Sequence, residues 1–384
     1  MRRALVVTAF LAASLGACTD EEEDQPRTPT VTAPTSGPGE PTGRSTGAGK
    51  PGPARERDRP VRVVDTVATG LEAPWGLDFL PDGRALLTER DTREVLVLDP
   101  GAGPPRRVAV MEQAVPEGES GLLGVAVSPD FTDDRLVYFY LSTTTDNRIV
   151  RATLDRRDRL GTPEVVLDGI PHGFIHDGGR LRFGPDGFLY ASTGETGEAD
   201  LAQDRSSLAG KILRITPDGD PAPGNPDPGS PVWSWGHRNV QGLAFDDDGN
   251  LWASEFGDSA FDELNLVRKG ANYGWPLVEG RGEQPGLVDP RVVWRTDQAS
   301  PSGLAWTDGH LWLGALQGTR LWRVEVDDGQ ASDPTAFFVG EYGRLRTVEV
   351  APDGRLWVTT SNRDGRGDPA PEDDRILVVD PGGR

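Results

Sequence analysis

One stretch of the chain, residues 234–276, concentrates side chains that could bind an anionic ligand. It begins with a cationic and amide-bearing group and continues with acids around a glycine: His237, Arg238, Asn239 and Gln241, then Glu255, Gly257, Asp258, Asp262, Glu263 and Asn265. Arginine pairs with carboxylates through two parallel hydrogen bonds, and Ca²⁺ prefers oxygen ligands, including the carbonyl groups that a glycine turn exposes. The stretch favours a polyanionic ligand bridged by a hard cation. A surface hairpin with solvated charges is the alternative.

A second candidate, His176, lies in the segment GFIHDGGRLRFGPDG, just before a predicted hairpin. Histidine is suited to proton transfer near neutral pH, so His176 is a candidate general base. A histidine that is only hydrogen-bonded in a loop would have the same spacing.

The elements that must position these residues are short strands. Turn signals of the Pro-Asp-Gly type lie between β-prone runs at residues 81–83, 129–131, 185–187, 247–249, 308–309 and 352–354. Proline presets the first turn torsion and glycine accepts a positive φ, so each signal predicts a hairpin. A second repeat comprises strands such as REVLVLDP, GKILRITP, TRLWRVEV and RILVVDP. The pattern predicts an all-β fold, a six-bladed β-propeller of four-stranded antiparallel blades, in which residues 61–66 join the last blade and close the ring.

The N-terminal region predicts export and a lipid anchor. Arg2 and Arg3 precede an apolar run too short to cross a bilayer, which ends at Leu-Gly-Ala-Cys with Cys18, the only cysteine. An ordinary signal peptide with an incidental cysteine is the alternative. We predict a lipoprotein signal at 1–18, a disordered Pro/Thr/Gly-rich tether at 19–59 and the propeller at 60–384. The protein would then be anchored on the outer face of a bacterial cytoplasmic membrane.

Charge and motifs exclude several other classes. The chain has 61 acidic against 40 basic residues, which argues against nucleic acid as a partner, since phosphate binding needs a basic face. It has no transmembrane helix pattern, phosphate-binding glycine loop, serine nucleophile elbow or zinc-ligand pair.

Several motifs together resemble one family. They are EGESGLLGVAVSPDF, HDGGRLRFGPDGFLYASTGE, the run from GHRNVQGLAF to GANYGWP, and YGRLRTVEVAPDG. In this order, from about residue 63 onward, they resemble the soluble aldose sugar (glucose) dehydrogenases that use pyrroloquinoline quinone (PQQ). The resemblance implies a six-bladed propeller, PQQ and Ca²⁺ as cofactors, an aldose substrate oxidised to a lactone, and an external electron acceptor.

The resemblance also implies roles for individual residues. His176 would take the proton from the anomeric hydroxyl group, and Arg238 would contact both the quinone and the reacting centre. Cofactor-binding roles are implied for Glu119, Arg238, Asn239, Asp262, Gln317, Arg344 and Arg346. Gly257 and Asp258 match the positions whose backbone carbonyl groups hold the active-site calcium ion.

The chain departs from the family pattern at some of these positions. Gln317 stands where the glucose enzymes have a lysine that pairs with the cofactor, and Glu195 replaces an aspartate near the base. The aromatic residue over the quinone has no unique counterpart, with Trp294 and Thr296 as the two candidates. Two other functions stay open: a cofactor-free binding lipoprotein on the same fold, and a calcium-dependent lactonase-type hydrolase.

Overall fold

A computed structural model describes residues 59–101 and 103–383 of this 384-residue chain. Within them the strands form six four-stranded antiparallel sheets, arranged as a six-bladed β-propeller. The predicted fold class is therefore confirmed. The predicted signal segment with Cys18 lies outside the described residues, and so does the whole of the predicted tether at 19–59 except Arg59.

We number the sheets as blades in chain order, from the innermost strand outward. Blade 1 contains β2 (Pro74–Phe79), β3 (Ala85–Glu89), β4 (Glu94–Leu98) and β5 (Arg106–Val110). Blade 2 contains β6 (Leu122–Val127), β7 (Leu136–Ser142), β8 (Asn147–Thr153) and β9 (Glu164–Ile170). Blade 3 contains β10 (Leu181–Phe183), β11 (Leu189–Ser192), β12 (Lys211–Ile215) and β13 (Val232–Trp235).

The remaining blades follow the same order. Blade 4 contains β14 (Asn239–Phe245), β15 (Leu251–Phe256), β16 (Phe261–Val267) and β17 (Val292–Arg295). Blade 5 contains β18 (Pro301–Thr307), β19 (His310–Ala315), β20 (Arg320–Asp327) and β21 (Gln330–Phe337). Blade 6 contains β22 (Leu345–Val350), β23 (Leu356–Thr360), β24 (Ile376–Asp380) and, outermost, β1 (Arg62–Ala68).

The ring closes between the two ends of the propeller sequence. Strand β1 pairs antiparallel with β24, with Arg62 opposite Asp380 and Ala68 opposite Ile376. The predicted closure by the first strand is confirmed. Pairing the first strand with the last blade covers an edge of β24 that would otherwise expose unpaired backbone groups.

The six predicted turns each join the innermost strand of a blade to its second strand. In the first of them, the Gly83 N–H donates to the carbonyl oxygen of Leu80 at 2.9 Å, and Gly83 has a φ of +87°. Pro81 and Asp82 occupy the two central positions, as the turn chemistry predicts. The second sequence repeat forms the third strand of blades 1, 3, 5 and 6.

The hydrophobic core lies between blades. Five of six buried clusters combine side chains of two neighbouring blades, including the pair formed by blade 6 and blade 1, and the sixth joins blades 2 and 3 with Trp75 of blade 1. Trp75, Trp252 and Trp312 are among the largest buried side chains. Each sheet thus buries both faces, and the blades stabilise one another.

Helical structure is confined to short segments in the part of the chain described. They are a four-residue helix, α1 (Phe131–Asp134), and a 3₁₀ turn at Ala199–Ala202. Within residues 59–101 and 103–383, no helix has the length and apolar character that crossing a membrane would need.

Strand alternation gives the ring two different edges. Connections from the outermost strand of one blade to the next blade, and from second to third strand, lie at one edge, which we call the upper edge. The six Pro-Asp-Gly-type turns lie at the opposite, lower edge. The inner strands therefore run from the upper to the lower edge around a central channel.

Candidate functional site

The topology brings the sequence-predicted residues of the propeller to the upper edge. Connections between blades carry Glu119, His176, Arg238 and Arg344, while Asn239 and Arg346 lie at the start of inner strands. Connections between second and third strands carry Gly257, Asp258 and Gln317, and Asp262 is the second residue of β16. Residues more than 200 positions apart in sequence thus surround one mouth of the channel.

The imidazole of His176 is held by Glu195. Its Nδ1 lies 2.5 Å from Glu195 Oε1, and the two side chains are 12% and 3% exposed. Because a carboxylate accepts hydrogen bonds, the proton of the neutral imidazole belongs on Nδ1, and Nε2 is the acceptor. His176 can then take a proton at Nε2, and Glu195 stabilises the cation that forms.

The backbone of His176 is also fixed from both sides. It has a φ of +61°, which is uncommon for a residue with a side chain. Its N–H donates to Glu119 Oε2 at 2.9 Å, and its carbonyl oxygen accepts from the Thr196 N–H at 3.2 Å. A Cβ on Gly194 would lie 1.8 Å from that carbonyl oxygen, so only glycine permits this approach.

Two buried arginines share one carboxylate. Arg344 donates to Asp364 Oδ2 from Nε at 3.1 Å and from Nη2 at 3.0 Å, and Arg346 donates to the same oxygen at 3.2 Å. Arg346 also donates to Gln241 Oε1 at 3.2 Å. Burial lowers the pKa of Arg346 to about 10, and Asp364 opposes this shift. The guanidinium group of Arg346 is therefore charged near neutral pH, and it shares one acid with Arg344.

The carboxyl group of Asp364 responds to the same contacts. Burial alone would raise its pKa, but Arg346 and then Arg344 outweigh this effect and hold the pKa below its usual range. Asp364 is therefore the negative charge around which the two arginines are placed.

The guanidinium of Arg238 contacts the predicted calcium-binding positions. Its Nη1 donates to the Gly257 carbonyl oxygen at 2.6 Å and its Nη2 to Asp258 Oδ1 at 3.1 Å. The Arg238 Cζ lies 5.3 Å from the ring centre of Trp275. Nε of Arg238 is buried without a hydrogen-bond partner among the described residues. This unpaired cationic donor favours an additional anionic or carbonyl group at the mouth.

Glu255 contacts the backbone of Arg238 and the neighbouring His237. It accepts hydrogen bonds from the Arg238 backbone N–H and, at 2.9 Å, from His237 Nδ1. His237 is fully buried, and its ring stacks on Tyr273 with centroids 4.6 Å apart. His237 and the Arg238 backbone are therefore held by the same carboxylate.

Asp262 and Glu279 shape the loop that contains Gly257. Asp262 accepts from the backbone N–H groups of Gly257 at 2.9 Å and Ser300 at 2.6 Å, and burial raises the pKa of Asp262 to about 6. Glu279 Oε1 accepts from four successive backbone N–H groups, those of residues 258–261, at 2.7–3.0 Å. Both acids bind backbone, and this fixes the direction in which the Gly257 carbonyl group points.

Three other sequence-predicted residues have distinct environments. Asn239 Oδ1 accepts from the Gly178 N–H at 3.1 Å, so it holds the segment that follows His176. Gln317 is exposed on the turn between β19 and β20. Trp294 is buried in the outermost strand of blade 4, where its ring centroid lies 5.6 Å from that of Trp322. That position removes Trp294 as the aromatic residue over a ligand at the mouth.

Charged residues also close the channel below the site. Arg180 donates to the Gln241 carbonyl oxygen at 2.8 Å and to Thr347 Oγ1 at 3.2 Å, so it crosses from blade 3 to blade 6. Arg182 donates to both carboxylate oxygens of Glu349, at 3.0 and 2.7 Å. A ligand at the upper mouth therefore meets a polar floor.

Sequence reasoning missed Asp364, Arg366 and Glu279. Asp364 and Arg366 lie between β23 and β24, in a connection that the propeller pattern assigns to the upper edge. Two charged residues in a connection assigned to the upper edge are a sequence signal that could have identified Asp364 and Arg366. Glu279 acts through backbone contacts, and we find no sequence signal for it.

Comparisons with known proteins identify the family and agree with the fold. The glucose / sorbosone dehydrogenase family model matches residues 71–370. The chain is similar to the PQQ-bound form of an aldose sugar dehydrogenase from Streptomyces coelicolor, with 53% identity, a TM-score of 0.82, and coverage of 84% of this chain and 98% of that one. It is 29% identical to the aldose sugar dehydrogenase YliI of Escherichia coli over 79% of this chain and 91% of the relative. It is 34% identical to quinoprotein glucose dehydrogenase B of Acinetobacter calcoaceticus over 58% of this chain and 54% of the relative.

Proposed function

The chain belongs to the glucose / sorbosone dehydrogenase family and is an oxidoreductase, and from this premise we propose that it oxidises aldose sugars to lactones with PQQ as cofactor. The observation that carries the proposal is the position of His176. Its Nδ1 is engaged by Glu195, while three arginines line the same upper edge. The site thus combines a base with a cationic surface.

The residues fit a cofactor with several carboxylates. Arg344 and Arg346 have only Asp364 as a shared carboxylate partner in the contacts described, and Arg238 has an unpaired buried Nε. These three side chains would hold the quinone, with Asn239 and Gln317 at the same edge. The PQQ held there would supply the acceptor for the hydride that leaves C1 of the sugar.

The chain's own residues would perform the proton transfer. His176 Nε2 accepts the proton of the anomeric hydroxyl group as the C1–H bond breaks, and the C1–O bond becomes the lactone carbonyl. Glu195 stabilises the imidazolium, and Glu119 keeps the ring in place through the His176 backbone. The polar floor below the site limits how far a sugar can enter the channel.

We propose that Ca²⁺ binds at the Gly257 carbonyl oxygen, with Asp258 beside it. The backbone carbonyl oxygens of both residues are hard donors of the kind that binds calcium. Arg238 donates to the Gly257 carbonyl oxygen and to the side-chain Oδ1 of Asp258, so calcium would have to share the Gly257 oxygen with the guanidinium or displace it. Among the described residues no group of three or more His, Cys, Asp or Glu side chains is arranged to hold a metal ion. Most ligands would therefore come from backbone, cofactor and water. Calcium would polarise a carbonyl group of the cofactor.

The experiment that tests the function is reconstitution. Purified protein is mixed with PQQ and Ca²⁺, and its absorbance spectrum is recorded before and after addition of an aldose, together with reduction of a dye as the external electron acceptor. We expect a bound quinone that aldose reduces. A protein that binds sugar but neither binds nor reduces PQQ would support the cofactor-free binding lipoprotein.

Two variants separate chemistry from binding in this assay. His176→Ala should retain the quinone and lose turnover by about 10²–10⁴-fold, the usual contribution of a positioned general base. Arg344→Ala should weaken quinone binding by about 2–5 kcal/mol, because it leaves a charge without its partner, and excess quinone should restore turnover. Equal activity of His176→Ala and the parent would contradict the role of His176.

We further propose that the protein is exported and lipid-anchored through Cys18 on the outer face of the cytoplasmic membrane. The support is the sequence pattern around Cys18, where an apolar segment ends in small residues and a cysteine. Cys18→Ser should move the protein from the membrane fraction to the soluble fraction. Unchanged membrane partition would contradict the anchor.

A further inference from the structure

An ion pair joins two distant connections of the upper edge. Arg366, between β23 and β24 of blade 6, donates from Nη1 to Oε1 of Glu119 at 2.7 Å. Glu119 lies in the connection from blade 1 to blade 2. The pair therefore passes over blade 1 at the mouth. The Arg366 side chain is 55% exposed and that of Glu119 is only 15% exposed. Glu119 is therefore the more buried partner of the ion pair.

The second oxygen of Glu119 serves His176. Glu119 Oε2 accepts the His176 backbone N–H at 2.9 Å, at a residue whose φ is +61°. A left-handed backbone is unfavourable for a residue with a Cβ and persists where surrounding contacts fix it. Glu119 is such a contact, and Arg366 in turn fixes Glu119.

The loop that carries Arg366 also carries Asp364. The Arg366 N–H donates to Asp364 Oδ1 at 3.0 Å, while Asp364 Oδ2 accepts from Arg344 and Arg346. One loop thus contacts the arginine pair through Asp364, and through Arg366 it contacts Glu119, which holds the backbone of His176.

We propose that Arg366 is a positioning residue for His176, acting through Glu119, and that the loop between β23 and β24 links the geometry of the base to that of the arginine pair. The inference rests on the proposed function, in which His176 is the base. Arg366 touches neither the imidazole nor the arginine pair, so its effect on the reaction is indirect.

The charges around Glu119 explain why Arg366 matters. Burial would raise the pKa of the Glu119 carboxyl group, but the His176 N–H and Arg366 outweigh burial and hold the pKa below its usual range. The other charged or titratable groups that face Glu119 are the guanidinium groups of Arg90 and Arg346, the imidazole of His176 and the carboxyl group of Asp177. Without Arg366, Glu119 loses its only directly hydrogen-bonded cation among the described contacts and takes up a proton at higher pH.

The test compares Arg366→Gln with Arg366→Lys and a matched control. Arg366→Gln removes the charge, whereas Arg366→Lys keeps it. The control is Arg355→Gln, which removes an exposed arginine of the same blade at the lower edge, where Arg355 pairs with Asp353. Thermal midpoints of all three variants should stay close to that of the parent, since Arg366 and Arg355 are both exposed.

The first readout uses cofactor-free protein. The chemical shift of the His176 backbone amide, followed by NMR against pH, reports protonation of its acceptor Glu119. We expect a higher titration midpoint in Arg366→Gln than in the parent, with Arg366→Lys and Arg355→Gln near the parent. If the His176 amide does not titrate, or its midpoint is the same in Arg366→Gln, the inference is wrong whatever the enzyme does.

The second readout is turnover after reconstitution with PQQ. Arg366→Gln should lower kcat about tenfold with little change in KM, because a small displacement of a catalytic group costs up to about a hundredfold in rate. The acid limb of its pH profile should move to higher pH. In a Glu119→Gln background the further change Arg366→Gln should have no additional effect, since the carboxylate it acts through is gone.

The outcomes distinguish the inference from the proposed function. If the parent protein does not oxidise aldoses, the proposed function is wrong, and the Arg366–Glu119 ion pair has no role in that reaction. This holds even if the titration midpoint of the His176 amide shifts as expected. An active parent whose Arg366→Gln variant has unchanged kcat and pH profile overturns the inference and leaves the function standing.

Discussion

Nδ1 of His176 and Oε1 of Glu195 lie 2.5 Å apart at the upper edge of blade 3. The imidazole follows the last strand of blade 2, and the carboxylate lies between the second and third strands of blade 3. Glu195 is further fixed because its N–H donates to the Arg238 carbonyl oxygen at 2.8 Å. Glu195, which orients the proposed base His176, is thus tied to the backbone of Arg238, a predicted cofactor ligand.

The first prediction concerns Glu195. Glu195→Gln should keep quinone binding but lower kcat by on the order of 10–100-fold, because the amide cannot stabilise the imidazolium as a carboxylate does. Glu198→Gln, an exposed acid three residues later, is the control and should be neutral. Steady-state kinetics after reconstitution measure this effect. Full activity in Glu195→Gln would mean that His176 does not become charged during turnover.

A second prediction concerns the acid between the two arginines. Asp364→Asn should destabilise the cofactor-free protein, because two buried guanidinium groups lose their counter-charge, and should tighten PQQ because its carboxylates meet less competition. Thermal unfolding and quinone titration would measure the two effects, with the exposed Asp368→Asn as control. Weaker quinone binding in Asp364→Asn would show that Asp364 helps to build the site instead of competing for it.

The third prediction concerns the loop that carries Gly257. Glu279→Ala should lower calcium affinity at least tenfold, because four backbone N–H groups lose their common acceptor and the Gly257 carbonyl group is no longer oriented; such supporting contacts are commonly worth 10–100-fold at metal sites. Calorimetric titration with Ca²⁺, with and without quinone, is the measurement. Glu283→Ala, an exposed acid nearby, should bind as the parent does. Equal calcium affinity of Glu279→Ala and Glu283→Ala would show that this loop does not contribute to calcium binding.

The fourth prediction concerns Gln317. Gln317→Lys should tighten PQQ, because it adds a cation at an exposed turn of the upper edge that already carries the arginines. Quinone titration at low and high salt would detect it, since an exposed charge is screened by salt. Arg355→Lys at the lower edge retains its charge and should leave affinity unchanged. No change in Gln317→Lys would place this turn outside the reach of the cofactor.

The fifth prediction is a pH dependence of stability. Burial, followed by repulsion from Glu349, raises the pKa of Asp78 from 3.8 to about 6. The folded state therefore holds a proton that the unfolded state releases between these values, so this contribution to the free energy of unfolding is full below pH 3.8 and is lost as pH rises through about 6. Thermal midpoints against pH should lack this component in Asp78→Asn and keep it in Asp99→Asn. Parallel curves for the parent and Asp78→Asn would contradict it.

The sequence by itself determined the propeller. Each Pro-Asp-Gly-type turn depends on the torsions of three adjacent residues, and strand alternation depends on neighbours two positions apart. Both can therefore be predicted from short stretches of sequence. Six such units also predicted closure by the first strand, because an unpaired edge is unfavourable. His176, Arg238 and the arginine pair could be identified from the resemblance of motifs, since each motif is short and continuous.

Only the tertiary structure decided which charges meet. Arg366 and Glu119 are 247 positions apart, and Asp364 reaches Arg344 and Arg346 from the next connection of the same blade. Trp294, a sequence candidate for the ligand, is buried between blades instead. Local preferences set strands and turns, but ion pairing depends on distances of a few ångströms between side chains on separate loops. Those distances are fixed by ring closure and blade packing, which no single stretch of sequence contains.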